Sequence, residues 1–269
     1  MNYLNTSIEE LHAFGKAKRQ EYLEAAPFPN IYFDNFFNPA IISELLSEFP
    51  DFKKNTELKF EDPNQIKLAS NGEYKFGEKS KRFAHFLNSQ PFLEFLSYLT
   101  GIDSLIPDPY FEGGGFHQIL PGGLLKIHAD FNKSRITKLD RRLNVLVYLN
   151  EDWNEEWGGH FELWDQDMKG CVKKILPIFN RMAIFTTTDF SFHGHPDALK
   201  CPPDRSRKSL ALYYYTNGRP EHEVVKGLEA HSTLFKARPD SNDKKLSLKE
   251  MVKQITPPII FNAAKKLVG

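Results

Sequence analysis

The fold is decided by residues 124–165, LLKIHADFNKSRITKLDRRLNVLVYLNEDWNEEWGGHFELWD. The stretch opens with His128 and Asp130, two metal-capable side chains separated by one residue. It runs into an apolar segment ending at Tyr148-Leu149-Asn150, then Gly158-Gly159 and a second alternating segment. In a strand, residues i and i+2 share a face. At the end of a strand, His128 and Asp130 can therefore converge on one ion. A lone His-x-Asp arises readily by chance, and a hydrogen-bonded His–Asp pair is common in cores, so the reading needs a third ligand.

The histidines available are His85, His117, His160, His193, His195, His222 and His231, with His12 remote in an N-terminal helix. Residues 180–197, NRMAIFTTTDFSFHGHPD, fit best, because a β run over 181–187 ends in a turn carrying His193 and His195 just before Pro196. Two imidazoles and one carboxylate on one face of an octahedron leave three positions open, the arrangement of non-haem Fe(II) oxygenases. Fourteen residues after His193 comes SRKSLALYYYT, in which Arg207 and Ser209 alternate onto one strand face. An arginine is the bidentate partner that a cosubstrate carboxylate needs, and a neighbouring hydroxyl can share it. Tyr148 shares a face with Asn144 and Leu146 and offers a phenol to the same anion, although a buried Tyr needs only one hydrogen-bond partner. Asn144 is the weaker candidate, with a strand-edge hydrogen bond as its alternative.

The pattern His128-x-Asp130 … His193 … Arg207-x-Ser209 resembles the 2-oxoglutarate- and Fe(II)-dependent dioxygenases, and within them the prolyl-4-hydroxylase-like group. RRLNVLVYLNEDW followed by GGHFELWD is similar to that group's central strands, and FDNFFNP to its strand-then-helix entry. The resemblance spans roughly 28–215. It implies that His128, Asp130 and His193 bind iron, and that Arg207 holds the distal carboxylate of 2-oxoglutarate with Ser209 and Tyr148 assisting. His193 is favoured over His195 by motif position, which leaves His195 a supporting role. The implied fold is a double-stranded β-helix, or jelly roll. The implied cofactors are Fe(II) and 2-oxoglutarate, with ascorbate as a candidate accessory. The implied reaction is hydroxylation of an aliphatic C–H in a small molecule, amino acid or peptidyl-prolyl substrate. One departure is Leu120, which stands before Pro121-Gly122 where some relatives carry a tyrosine. Two rival readings use the same residues: a zinc hydrolase, for which no H-E-x-x-H helix supplies a base, and a cupin-like jelly roll that binds without turnover.

Composition sets the remaining bounds. The 269 residues carry 35 basic and 35 acidic side chains, so no net field points to nucleic acid or an anionic membrane. The two cysteines, Cys171 and Cys201, form no C-x-x-C and are expected as free thiols. No targeting pattern or membrane-length apolar run is apparent, so the expectation is a soluble cytoplasmic protein.

Along the chain, Ser7 and Glu10 read as a capping box opening a helix over about 8–25. FPNIYFDNFF reads as a strand, and Asn38-Pro39 as the start of a second helix. Residues 51–80 read as a long loop or ribbon and, with Phe131-Asn132, as the expected substrate contact. Residues 89–101 read as a helix closed by Gly101. From 103, short apolar runs near 115–120, 124–128, 143–149, 159–164, 171–176, 181–186 and 208–215 argue an antiparallel sandwich or barrel. The tail is expected to hold a polar loop near 237–244 and helices over about 247–254 and 258–267. The layout is an N-terminal helical layer (1–102), a β core (103–218) and a C-terminal extension (219–269), forming one continuous domain.

Overall fold

The structure is a computed structural model describing residues 3–52, 54, 57–226, 230–239, 241 and 243. The two expected tail helices lie outside these residues, and the expected polar loop only partly within them.

The helices form where local chemistry dictates. α1 (Ile8–Leu23) opens on the expected reciprocal box: Ser7 Oγ accepts from the Glu10 N–H, and the Glu10 carboxylate accepts from the Ser7 N–H. α2 (Pro39–Ser47) is capped by Asn38, which accepts from the Ala40 N–H. α3 (Glu78–Leu87), which the sequence reading did not anticipate, begins at the end of the stretch 51–80 expected as a loop or ribbon. Its N-terminus has no local side-chain cap; the carboxylate of Glu48, remote in sequence, accepts from the N–H groups of Lys79 and Ser80. α4 (Gln90–Thr100) ends on Gly101 at φ +73°, as expected, but Ser89 Oγ bonds back to Phe86 O instead of capping it. α1 and α4 meet at Gly15, where a Cβ would lie 3.0 Å from the Phe95 ring.

The strands are β1 (Asn30–Phe33), β2 (Leu58–Asp62), β3 (Gln65–Ala69), β4 (Ile106–Pro107), β5 (Gly115–Ile119), β6 (Leu124–Ala129), β7 (Asp140–Tyr148), β8 (Phe161–Trp164), β9 (Cys171–Ile175), β10 (Met182–Thr186), β11 (His193–His195), β12 (Arg207–Thr216) and β13 (Leu234–Phe235). All their pairings are antiparallel, in the order β1-β10-β7-β12-β5-β3-β6-β11-β8-β9, with β2 beside β3, β4 beside β12 and β13 beside β6. This is the expected jelly-roll core with flanking helices. β3 joins its two halves, because it pairs with both β5 and β6.

Strand alternation separates two environments. The outward set Leu143, Val145, Val147, Met182, Ile184, Leu210, Leu212 and Tyr214 forms one core with helix residues such as Phe83, Phe92 and Phe95. The opposite set includes Asn144, Tyr148, Phe185, Ser209 and Tyr213 and faces the interior of the roll. Helices thus cover one face of the larger half-sheet and leave the other for a site. The strand expected across FPNIYFDNFF is confined to β1, and the turn expected at His193 and His195 is strand β11 between β6 and β8. Gly194 makes that close approach feasible, since a Cβ there would lie 2.7 Å from Leu125 O.

The C-terminal segment returns to the core. His231 donates from Nδ1 to Ser232 O and from Nε2 to Asp189 at 2.8 Å, with both side chains of the His–Asp pair fully buried. Asp189 also accepts from the Val225 N–H and from Asn132. Burial opposes its charge, but these partners hold its carboxyl below the usual range. A folded-state pKa below the unfolded value gives stability that is present above about pH 4 and lost as pH falls. His231→Leu leaves that carboxylate buried without its imidazole and is expected to lower unfolding free energy by about 3 kcal/mol, measured by urea denaturation at pH 7. The difference from wild type should shrink in acid.

Candidate metal centre

β6 and β11 run side by side with His128 opposite His193, and Asp130 follows the end of β6. One ligand atom from each of His128, Asp130 and His193 lies within 4.8 Å of the others. His128 Nε2 is 3.6 Å from Asp130 Oδ1, and His193 Nε2 is 3.4 Å from Oδ2. Each imidazole is oriented from behind: His128 Nδ1 donates to Lys126 O and His193 Nδ1 to Ser191 O, both at 2.8 Å. A carbonyl can only accept, so Nδ1 carries the proton and Nε2 presents its lone pair to the cluster.

Electrostatics favour the ligating forms. Burial pushes His193 down to about 3. Burial alone would raise Asp130, but Arg141, His193 and His128 outweigh it and hold the carboxyl well below its ordinary value. A neutral imidazole beside an ionised carboxylate is the state a divalent cation requires. Two nitrogens and one oxygen on one side of a concave site fit Fe(II) with open positions for other ligands.

Asp130 is clamped by groups behind the cluster. Its Oδ2 accepts from Arg141 Nη2 at 3.0 Å and Asn144 Nδ2 at 2.7 Å. Arg141 also donates to Asn144 Oδ1 and stacks on Tyr213 and Phe131. Residues three apart in a flat strand face opposite ways. Here β7 is bulged, with Tyr215 opposite Arg141 but Tyr214 opposite Leu143, and the extra residue brings Arg141 and Asn144 together. Sequence reasoning missed Arg141, and strict alternation could not have found it. Outer ligand partners are commonly worth 10–100-fold in metal affinity, so Asn144→Ala is expected to weaken Mn(II) binding by about that factor in calorimetry.

Arg207, Ser209 and His195 line a small inner chamber of about 80 Å³ together with His128, Asp130, Asn144 and His193. Arg207 Nε donates to Gly159 O at 2.8 Å, and Nη2 points to the Tyr148 hydroxyl at 3.4 Å. A Cβ at Gly159 would strike Leu199 at 2.6 Å and crowd Arg207 Cδ at 3.1 Å, so the glycine lets that backbone seat the arginine. Among the described residues no carboxylate forms an ion pair with the buried Arg207 guanidinium.

An outer cavity of about 380 Å³ adjoins the cluster. Leu58, Phe60 and Lys67 of the β2–β3 hairpin line it, as do Phe131, Tyr213 and residues 230–233. The hairpin and Phe131 are where substrate contact is expected. Asn132 is turned away, bonded to Asp189 and the His231 N–H. The contribution of 230–235 is absent from the sequence reading. β13 pairs with β6 and sets the Phe235 ring 5.5 Å from that of His128. Lys67 lies between both cavities, and burial pulls its amine down to about 8. Both cysteines are free thiols, and no described helix is long and apolar enough to cross a membrane.

A jelly roll with two histidines and an aspartate at one mouth, and an arginine deeper in that has no carboxylate partner among the described residues, is the arrangement expected of oxygenases that use iron and 2-oxoglutarate. Residues 114–215 match the model of the 2OG-Fe(II) oxygenase superfamily. The match covers the β core that carries His128, Asp130, His193 and Arg207, and it is to this superfamily that the core is similar. It is 24% identical over 202 residues to mouse prolyl 3-hydroxylase OGFOD1, an alignment covering 72% of this chain and 34% of that protein. The chain thus spans about a third of the length of the curated relative it matches. Among solved structures, the fold is shared with a Trichoplax adhaerens prolyl hydroxylase in complex with a hypoxia-inducible-factor peptide fragment (TM-score 0.56, 18% identity, covering 77% of this chain and 91% of that one). It is shared equally with a Pseudomonas putida prolyl-4-hydroxylase (TM-score 0.56, 16% identity, covering 76% and 100%).

Proposed function

We propose that this protein is an Fe(II)- and 2-oxoglutarate-dependent dioxygenase that hydroxylates an aliphatic C–H bond. The observation that carries the reading is Arg207: a buried guanidinium with no anionic partner among the described residues, in a chamber that opens onto a His–Asp–His cluster. A buried charge is tolerated when a partner arrives, and the distal carboxylate of 2-oxoglutarate is such a partner.

In this reading His128, Asp130 and His193 hold the metal, with Arg141 and Asn144 fixing the carboxylate that completes the triad. Arg207 anchors the far end of the cosubstrate, assisted by the Ser209 hydroxyl and the neutral Tyr148 phenol, whose ionisation burial disfavours. When bound, iron and 2-oxoglutarate supply the oxidation: one dioxygen splits between the substrate hydroxyl and the succinate released with carbon dioxide. The protein's own contribution is placement and exclusion of water by stiff strands.

The outer cavity, with Leu58, Phe60, Phe131 and Tyr213 around its opening to the cluster, suits one aliphatic side chain or ring presented by a peptide or small molecule. The prolyl hydroxylases to which the chain is similar support a prolyl ring as the first substrate to test. A zinc hydrolase would need a free carboxylate base near the metal. Glu112, which lines the outer cavity, is engaged by Arg135 and Ser134. The test is succinate formation from 2-oxoglutarate by Fe(II)-loaded protein with prolyl peptides and free amino acids as candidate substrates. Turnover that zinc suppresses is expected; a chain that never consumes 2-oxoglutarate under these conditions contradicts the proposal.

A further inference from the structure

His195 lines the inner chamber and is 3% exposed, yet neither Nδ1 nor Nε2 has a hydrogen-bond partner among the described residues. A neutral imidazole carries one donor and one acceptor, and leaving both unmade in the interior is costly unless a ligand completes them. Its position suggests which ligand. His195 sits two residues beyond His193 on β11, so the two rings share the inward face. It nevertheless stays out of the His128–Asp130–His193 group, because β6 bulges between the partners of His193 and His195 and carries His195 along to face Leu125. There it lines the same inner chamber as Arg207 and Ser209. Among the described residues the only carboxylate lining that chamber, Asp130, is committed to Arg141 and Asn144.

Resting on the oxygenase reading above, we propose that His195 is a cosubstrate-positioning residue, donating one ring N–H to the distal carboxylate of 2-oxoglutarate beside Arg207. It would make the chamber selective for a 2-oxo acid with a second carboxylate over one without, such as pyruvate. The proposal assigns no metal bond to His195.

The test uses the full chain loaded with Mn(II), with binding read by calorimetry. His195→Leu is expected to weaken 2-oxoglutarate about tenfold or more, the usual loss when a hydrogen bond to a charged group is removed. His195→Gln, which keeps an N–H donor, should stay within about threefold of wild type. Mn(II) affinity should be unchanged in both variants, and pyruvate affinity unaffected. A His195→Leu protein that binds 2-oxoglutarate like wild type, a glutamine variant as weak as the leucine one, or loss of Mn(II) by either would overturn the proposal. A wild type that takes up Mn(II) but no 2-oxoglutarate would overturn the underlying reading, and the proposal with it. A second readout needs no variant. In Zn(II)-loaded wild type, the His195 ring nitrogens should show a new hydrogen-bonded N–H on adding 2-oxoglutarate and none on adding pyruvate. The same ring spectrum with both acids would count against the assignment.

Discussion

Asp130→Asn is expected to abolish succinate formation and to weaken Mn(II) binding by more than about 100-fold, beyond the range for residues that merely support a ligand. The substitution keeps the shape of the side chain, so the fold should survive. Its effect follows from what faces each oxygen. Arg141 and Asn144 both direct N–H donors at Asp130 Oδ2. An asparagine there turns its carbonyl to those donors and its amide nitrogen to the metal, where it offers no lone pair. The variant also leaves the buried Arg141 without an anion. A small, separable loss of stability should therefore accompany the loss of metal, and comparing thermal unfolding with and without Mn(II) resolves the two. Wild type should be stabilised by the ion and the variant should not.

Arg207→Ala should leave Mn(II) binding intact and reduce 2-oxoglutarate affinity by at least about 100-fold, corresponding to the roughly 3–5 kcal/mol lost when one partner of a buried ion pair is removed. Calorimetric titration of the Mn(II)-loaded variant measures it. Arg207→Lys should recover only part of the loss. An ammonium can pair with a carboxylate but cannot also keep the planar Nε contact to Gly159 O and the reach to Tyr148. A binding module without turnover would show neither effect. Under the proposed reading, Asp130→Asn and Arg207→Ala therefore separate metal binding from cosubstrate binding, although both residues line one chamber.

The legible and illegible parts of this chain divide along a physical line. Signals confined to a few consecutive residues were readable: the Ser7–Glu10 box, the Asn38-Pro39 helix start, the αL glycine at 101, and the alternation that sorts β7 and β12 into two faces. His128 and Asp130 were readable as a pair because the strand period puts them together. What the sequence hid depends on partners far along the chain. α3 is capped by Glu48, and its own charged residues dilute its apolar stripe. β11 is too short to show a period and exists because β6 and β8 flank it. Arg141 reaches Asp130 only through a bulge, and a bulge shifts every inference that counts by twos. The tail offered no motif, yet the buried His231–Asp189 pair, with the His231 N–H on Asn132, and a two-residue strand return it to the site. Residues 58–69, inside the stretch read as a loop or ribbon, form a hairpin, and what the sequence did not show is that its second strand joins the two halves of the roll.

The most direct measurement is a crystal structure of the protein grown with Mn(II) and 2-oxoglutarate under anaerobic conditions. One ion should lie about 2.0–2.2 Å from His128 Nε2, an Asp130 oxygen and His193 Nε2. It should be chelated by the 2-oxo acid, whose far carboxylate rests on Arg207. An ion bound elsewhere, an ion closed off by a fourth protein ligand, or a 2-oxoglutarate molecule out of reach of Arg207 would contradict the account.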